Sequence, residues 1–283
     1  TGNNDALGGN YQPFVDSKGQ SPLSAADDWD GACLYCHQLI IDKTHMAAKG
    51  YYSSYVMPGN KNIILIALNS APFARIPMLA APYPKQEDEA NEQLTWLEQQ
   101  LKVHRVKQVL IAVHIPPGMS YDGKPLWNKA SLQRFIAILE QHAAQKQITL
   151  LSSHTHMDEI RKLQLSNGST IYNYLTPSIS TAHYNNPAMK IISLTNDFAV
   201  KNYTTYYTTN LNHWAKEQYQ AVGGKDAIIP HCFKQTLAEC LDGISQKELC
   251  DRLENGLFWG VKSDRVNRGC MNTYLIRSFG EHN

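Results

Sequence analysis

His154-Thr155-His156 places two imidazoles two residues apart. In an extended chain that spacing turns both side chains to one face, so the pair can address a single site. Imidazole is a ligand for zinc and similar metals. A His-x-His pair alone is ordinary, and two partly exposed histidines are its commoner outcome. His114 changes that reading, because it ends another apolar run and is followed by Ile115-Pro116-Pro117-Gly118. Gly2-Asn3-Asn4-Asp5 adds a turn that offers a neutral amide oxygen at Asn3. The candidate metal ligands are therefore Asn3, His114, His154 and His156, supplied by three separate chain segments.

Those segments need strands and helices to position them. Residues 63–68, 108–113 and 148–151 are apolar runs of strand length. The third leads directly into Ser152-Ser153-His154. Between the runs, Leu94, Leu97 and Leu101, and then Leu132, Phe135, Ile136 and Leu139, recur at helical spacing over 89–104 and 128–145. Strand, helix, strand, helix, strand is the rhythm of an α/β layered fold, whose ligands sit at the carboxyl ends of the strands. Residues 159–165, 170–175, 190–195 and 199–207 read as further strands, and 6–60 as loop and short helix. From about Asn210 the chain turns helical and Cys-bearing. The expected organisation is a main α/β region over 1–209 and a small helical appendage over 210–283, held on by Trp214, Phe258 and Trp259.

Gly2-Asn3-Asn4-Asp5, His114 with its Ile-Pro-Pro-Gly, and His154-Thr155-His156-Met157-Asp158-Glu159 resemble, in order, successive blocks of the calcineurin-like metallophosphoesterases. The branch they are most similar to is the acid sphingomyelinase-like phosphodiesterases, which include endopolyphosphatases. Gln93-Leu94-Thr95-Trp96-Leu97 and Asn185-Asn186-Pro187 add to the likeness, which runs from Thr1 to about Tyr207. The resemblance implies a layered metallophosphoesterase sandwich of which 1–209 is the C-terminal portion. It implies two divalent metal ions, zinc first and manganese or iron also suited, with Asn3, His114 and His154 on one and His156 on the other. The implied reaction is hydrolysis of a phosphodiester or phosphoanhydride by a metal-bound hydroxide. The implied substrate is a small phosphorylated molecule: a lipid head group, a nucleotide or polyphosphate.

Two departures from the family pattern matter. The family's Asp-x-His and Gly-Asp blocks do not occur ahead of Thr1, and Asp5, Asp27, Asp28 and Asp30 lack their context. These residues alone are thus expected to form an incomplete site. The family's His after the block's Asn, which protonates the leaving oxygen, is replaced by Asn4, which supplies no proton at neutral pH. That variant is similar to the endopolyphosphatase-like branch, and His183 is the candidate substitute acid. The rival reading is a degenerate relative that binds a metal or partner without hydrolysis.

Composition bounds the rest. A net charge of +1 with 18% charged residues describes no polyanion-wrapping surface, so no specific nucleic-acid binding is expected. The apolar runs are too short to span a bilayer. Cys232, Cys240, Cys250 and Cys270 are disulfide candidates with three possible pairings, whereas Cys33 and Cys36 form an isolated Cys-x-x-Cys. Disulfides favour an oxidising compartment, so the protein is expected to be secreted, periplasmic or lumenal, although no signal-peptide pattern is visible. Tyr203 and the pairs Tyr51-Tyr52 and Tyr206-Tyr207 could line a pocket for a cationic head group, but packing is their more ordinary role.

Overall fold

The structure, a computed structural model, describes residues 1–23, 38–75, 82–182, 186–210, 217–254 and 269–276. Its strands are β1 (Ile40–Asp42), β2 (Tyr52–Met57), β3 (Asn60–Leu68), β4 (Gln108–Val113), β5 (Gln147–Ser152), β6 (Ile160–Gln164), β7 (Thr170–Leu175), β8 (Ala188–Leu194), β9 (Val200–Tyr207), β10 (Glu217–Gln220) and β11 (Leu275–Ile276). The helices are α1 (Met46–Lys49), α2 (Gln86–Val103), α3 (Lys129–Ala143), α4 (Leu237–Asp242), α5 (Gln246–Arg252) and α6 (Cys270–Thr273).

β3, β4 and β5 lie parallel, with Ile64 opposite Val109 and Val109 opposite Ile148. Parallel neighbours need a long crossover, and α2 and α3 supply it. α2 buries Ala90, Leu94, Leu97 and Leu101, and its first turn carries Glu87, Asp88 and Glu89, which suit the positive end of the helix dipole. α3 begins at Asn128, whose side chain accepts from the Ser131 N–H, and it buries Leu132, Phe135, Ile136 and Leu139. These faces close over Ile64, Ile66, Val109, Ile111 and Leu150 in one continuous core. Each such side chain contributes about 1.5–3 kcal/mol on burial.

Among the described residues the large sheet has eight strands in the order β1-β2-β3-β4-β5-β7-β6-β11, and a three-stranded antiparallel sheet runs β10-β9-β8. Alternation along β7 shows how the layers meet. Ile171 joins the helix-side core, whereas Tyr172 and Tyr174 join a second core with Tyr203, Tyr219, Leu237, Leu241 and Leu249. The result is the layered α/β architecture that the strand–helix rhythm indicates, with a small helical region near the C-terminus. No helix among the described residues is long and apolar enough to cross a membrane.

The stretch read as loop and short helix instead contains β1, β2 and the start of β3. β2 and β3 form a hairpin through Pro58-Gly59, with Gly59 at φ 74, a conformation glycine adopts without strain. Its polar content hid the strand: Ser53 and Ser54 are buried, and Ser53 Oγ donates to Gln100 Oε1 of α2 at 2.8 Å. β10 pairs with β9 and β11 with β6, so residues beyond 210 also contribute strands to both sheets.

Candidate active site

His114 directly follows β4, and Ser153-His154 directly follows β5. The two ends stay in register, because the Ser153 N–H donates to the His114 carbonyl at 3.0 Å. Thr1 docks beside the end of β3, its nitrogen donating to Leu68 O at 3.2 Å and its carbonyl accepting from Ser70 N at 3.4 Å. Asn3 is thereby carried to the same rim. Its side-chain Oδ1 lies 3.1 Å from His114 Nε2 and 3.1 Å from His154 Nδ1. The two imidazole centroids are 5.2 Å apart. Gly2 has to be glycine here, since a Cβ on it would stand 2.7 Å from the His114 ring.

Three non-glycine residues with left-handed backbone gather at this rim: Tyr11 at φ 60, His154 at φ 70 and His156 at φ 64. His154 and His156 therefore do not extend β5, as the two-residue spacing suggests. They follow it in a bent segment whose conformation costs roughly 1–2 kcal/mol per residue for an L side chain.

Two buried ion pairs hold that segment. Asp158 accepts from Lys190 Nζ at 2.7 Å with both side chains almost fully buried, and also from Thr205 Oγ1 and Tyr219 Oη. Lys190 lies over the Tyr203 ring at 3.8 Å, so this tyrosine serves packing and charge burial. Tyr51 is likewise buried, stacked on His45. Glu159 Oε2 accepts from Arg161 Nε at 3.1 Å and Nη2 at 2.9 Å. Arg161 Nη1 then reaches the carbonyls of Pro117 at 3.2 Å and Met119 at 2.8 Å. One guanidinium thus ties the segment after His156 to the loop after His114.

Burial first, with neighbouring positive charge, pulls the His114 pKa from 6.5 to about 4. It stays neutral through the physiological range, which is the form that binds a metal. Nitrogen and oxygen ligands bound at about 2.0–2.2 Å to one ion stand roughly 3 Å apart, so the spacing of Asn3, His114 and His154 fits a shared divalent ion. Among the described residues no group of three or more His, Cys, Asp and Glu side chains is arranged to hold a metal. The oxygen nearest the two histidine nitrogens is the Asn3 amide Oδ1. His156 is half-buried at the same rim, and its charge adds to the depression of the His114 pKa. Asn4 is exposed. His183 lies outside the described residues, as do Asn185, Cys33, Cys36, Trp214, Phe258 and Trp259. The C-terminal cysteines pair as Cys232–Cys240 and Cys250–Cys270.

Sequence reasoning missed Asn10, Tyr11, Arg161 and Lys190. Asn10 and Tyr11 sit in a turn-rich stretch with no spacing signal, and the two cations look like solvated strand residues.

No protein-family model matches the chain. Its sequence is 30% identical over 176 residues to sphingomyelin phosphodiesterase 1 of Caenorhabditis elegans. The chain is similar to a phosphodiesterase. The match covers 58% of this chain but only 29% of that protein, so the chain spans under a third of its relative's length. Among solved structures, the Candida albicans 5'-nucleotidase aligns over 79% of this chain and 39% of its own, at 13% identity and a TM-score of 0.31. A 5'-nucleotidase from Staphylococcus aureus, solved with alpha-ketoglutarate and described as putative, aligns over 67% and 33%, at 10% identity and a TM-score of 0.25.

Proposed function

We propose that this chain forms part of the catalytic region of a metal-dependent hydrolase of phosphoric esters, with residues 1–209 as the C-terminal portion of that region and 210–283 as its appendage. The observation that carries this reading is the Asn3 Oδ1 atom 3.1 Å from both His114 Nε2 and His154 Nδ1. Asn3, His114 and His154 would hold one divalent ion, for which zinc suits the imidazole-rich set. His156 would belong to a second. When bound, such ions would polarise phosphoryl oxygens and lower the pKa of water, which favours phosphoester hydrolysis.

The chain's own residues set the conditions for that chemistry. Burial keeps His114 neutral and available. Asn4 cannot protonate a leaving oxygen, so the proposed acid is His183, or the substrate carries a leaving group that needs little help. The sphingomyelin phosphodiesterase likeness supports a small phosphodiester substrate. Lipid head groups and nucleotides fit a net charge of +1 better than long polyphosphate, which would favour a basic groove. The two disulfides support a secreted, periplasmic or lumenal location.

Elemental analysis and hydrolysis of bis-p-nitrophenyl phosphate by the protein carrying this chain test the reading. His114→Ala and His154→Ala should each lose bound metal and metal-dependent release of p-nitrophenol. Unchanged metal content in both variants sinks the site assignment, and turnover that survives both sinks the mechanism.

A further inference from the structure

We infer that Asn10 and Tyr11 are positioning residues of this site, Asn10 holding the Asn3 amide with its oxygen toward the histidines and Tyr11 partnering His154 Nε2 in either tautomer, so that Nδ1 can exchange its hydrogen for a metal. This rests on the metal-site reading above and names the groups that make it work.

An asparagine side chain ends in an acceptor and a donor of nearly equal size, and only the oxygen is useful to a cation. Asn3 is 5% exposed, so little water is available to select the orientation. Asn10 receives the other end: Asn3 Nδ2 donates to Asn10 Oδ1 at 2.7 Å, which leaves Oδ1 toward His114 and His154. The reversed amide would point N–H groups at the two ring nitrogens and deny the site its oxygen ligand.

Tyr11 is clamped to the same residue, its backbone N–H donating to the Asn3 carbonyl at 2.8 Å. Its hydroxyl lies 3.3 Å from His154 Nε2, with the two rings edge to face at 86°. The left-handed backbone of Tyr11 (φ 60) is a strained state for an aromatic residue, and here it delivers a hydroxyl to the back of a candidate ligand. Without an ion, His154 Nδ1–H donates to Asn3 Oδ1 and Nε2 accepts from the Tyr11 O–H. For Nδ1 to present its lone pair instead, its hydrogen has to leave and Nε2 has to gain one, after which Tyr11 Oη accepts from Nε2–H. A hydroxyl serves both states by rotating, because it is donor and acceptor at once. Phenylalanine serves neither, and outer partners of this kind are typically worth about 10–100-fold in metal affinity.

The test compares wild type with Tyr11→Phe, Asn10→Ala, Asn10→Asp and His154→Ala. Zinc affinity is read by competition with a chromophoric chelator, and the His154 ring by nitrogen-15 NMR of the metal-free protein. In wild type the ring should be the Nδ1–H tautomer, with an Nε2 resonance showing an accepted hydrogen bond that Tyr11→Phe removes. Tyr11→Phe and Asn10→Ala should each weaken zinc binding about 10–100-fold with an unchanged thermal midpoint. Asn10→Asp keeps an acceptor and should stay near wild type. If His154→Ala loses zinc while Tyr11→Phe and Asn10→Ala retain wild-type affinity, the positioning roles are overturned and the metal site stands. A His154 Nε2 resonance that Tyr11→Phe leaves unchanged overturns the role of Tyr11. Zinc binding that His154→Ala leaves intact overturns the metal reading itself, and the inference with it.

Discussion

After β4 the chain runs through His114-Ile115-Pro116-Pro117-Gly118; after β5 it runs through His154-Thr155-His156-Met157-Asp158-Glu159. The first loop is stiff by composition. Pro116 and Pro117 fix their own φ angles, Ile115 is buried, and its backbone is fastened at both ends. The Ile115 N–H donates to Ser70 Oγ at 3.0 Å, and its carbonyl accepts from Trp127 Nε1 at 2.9 Å. The second loop has no proline and two left-handed residues, and its hold comes from outside, through Asp158 to Lys190 and Glu159 to Arg161. Local covalent stiffness and distant buried charge thus deliver histidines to the same oxygen atom. A loop of the first kind, stiffened by its own prolines, should tolerate loss of the Asp158–Lys190 pair. A loop of the second kind should not.

Lys190→Met is the sharpest way to break this comparison. It leaves the Asp158 carboxylate buried against Thr205 and Tyr219 with no counter-charge. Removing one partner of a buried pair costs about 3–5 kcal/mol. Urea unfolding should show that loss, and Lys190→Met/Asp158→Asn should recover much of it. Hydrogen exchange should quicken around His154 and His156 but not at Ile115. Equal quickening in both loops would mean that they are not held independently.

Acid should find the other loop. The His114 pKa falls from 6.5 to about 4 on folding because the ring is buried. A base whose folded pKa lies below its unfolded value contributes stability that is fully present above the unfolded pKa. That contribution is lost as pH falls through the folded one. Between pH 6.5 and 4 the loss from this residue is about 3 kcal/mol. Urea midpoints in chelator, compared with those of His114→Asn, should show the variant losing less over that window. Parallel pH profiles for the two proteins would remove His114 as the acid-sensitive element.

How much of this was legible in the sequence follows the same division. β4, β5, α2 and α3 announce themselves by apolar runs and helical spacing, since burial on one face leaves a periodic trace. Pro116-Pro117-Gly118 likewise marks its own turn. β2 left no such trace, because Ser53 and Ser54 occupy buried positions that Gln100 and the hairpin make acceptable. The backbone of His154 and His156 was illegible for a deeper reason. Its left-handed angles lie just ahead of Asp158 and Glu159, which pair with Lys190 and Arg161, and no local rule predicts such angles. Asn3 could be picked out only beside His114 and His154. Asn10 and Tyr11, which touch it, carry no motif of their own.

The smallest effect tests that strain directly. His154→Gly relieves a left-handed L residue, worth roughly 1–2 kcal/mol. Against this stand the hydrogen bond to Asn3 and the contact with Tyr11, each worth about 0.5–1.5 kcal/mol net, and glycine's extra freedom in the unfolded chain. These contributions nearly cancel, so metal-free His154→Gly should unfold within about 1 kcal/mol of wild type. Pro117→Gly has no strain to release, and it frees the unfolded chain at a cost of about 0.4–1 kcal/mol or more. Measured side by side in urea, the two glycine substitutions should therefore fall within about 1 kcal/mol of each other, although only one of them removes a candidate ligand. If His154→Gly instead costs more than about 2 kcal/mol, the side-chain contacts outweigh the backbone strain. The second loop would then be held by its histidine as much as by the charges beneath it.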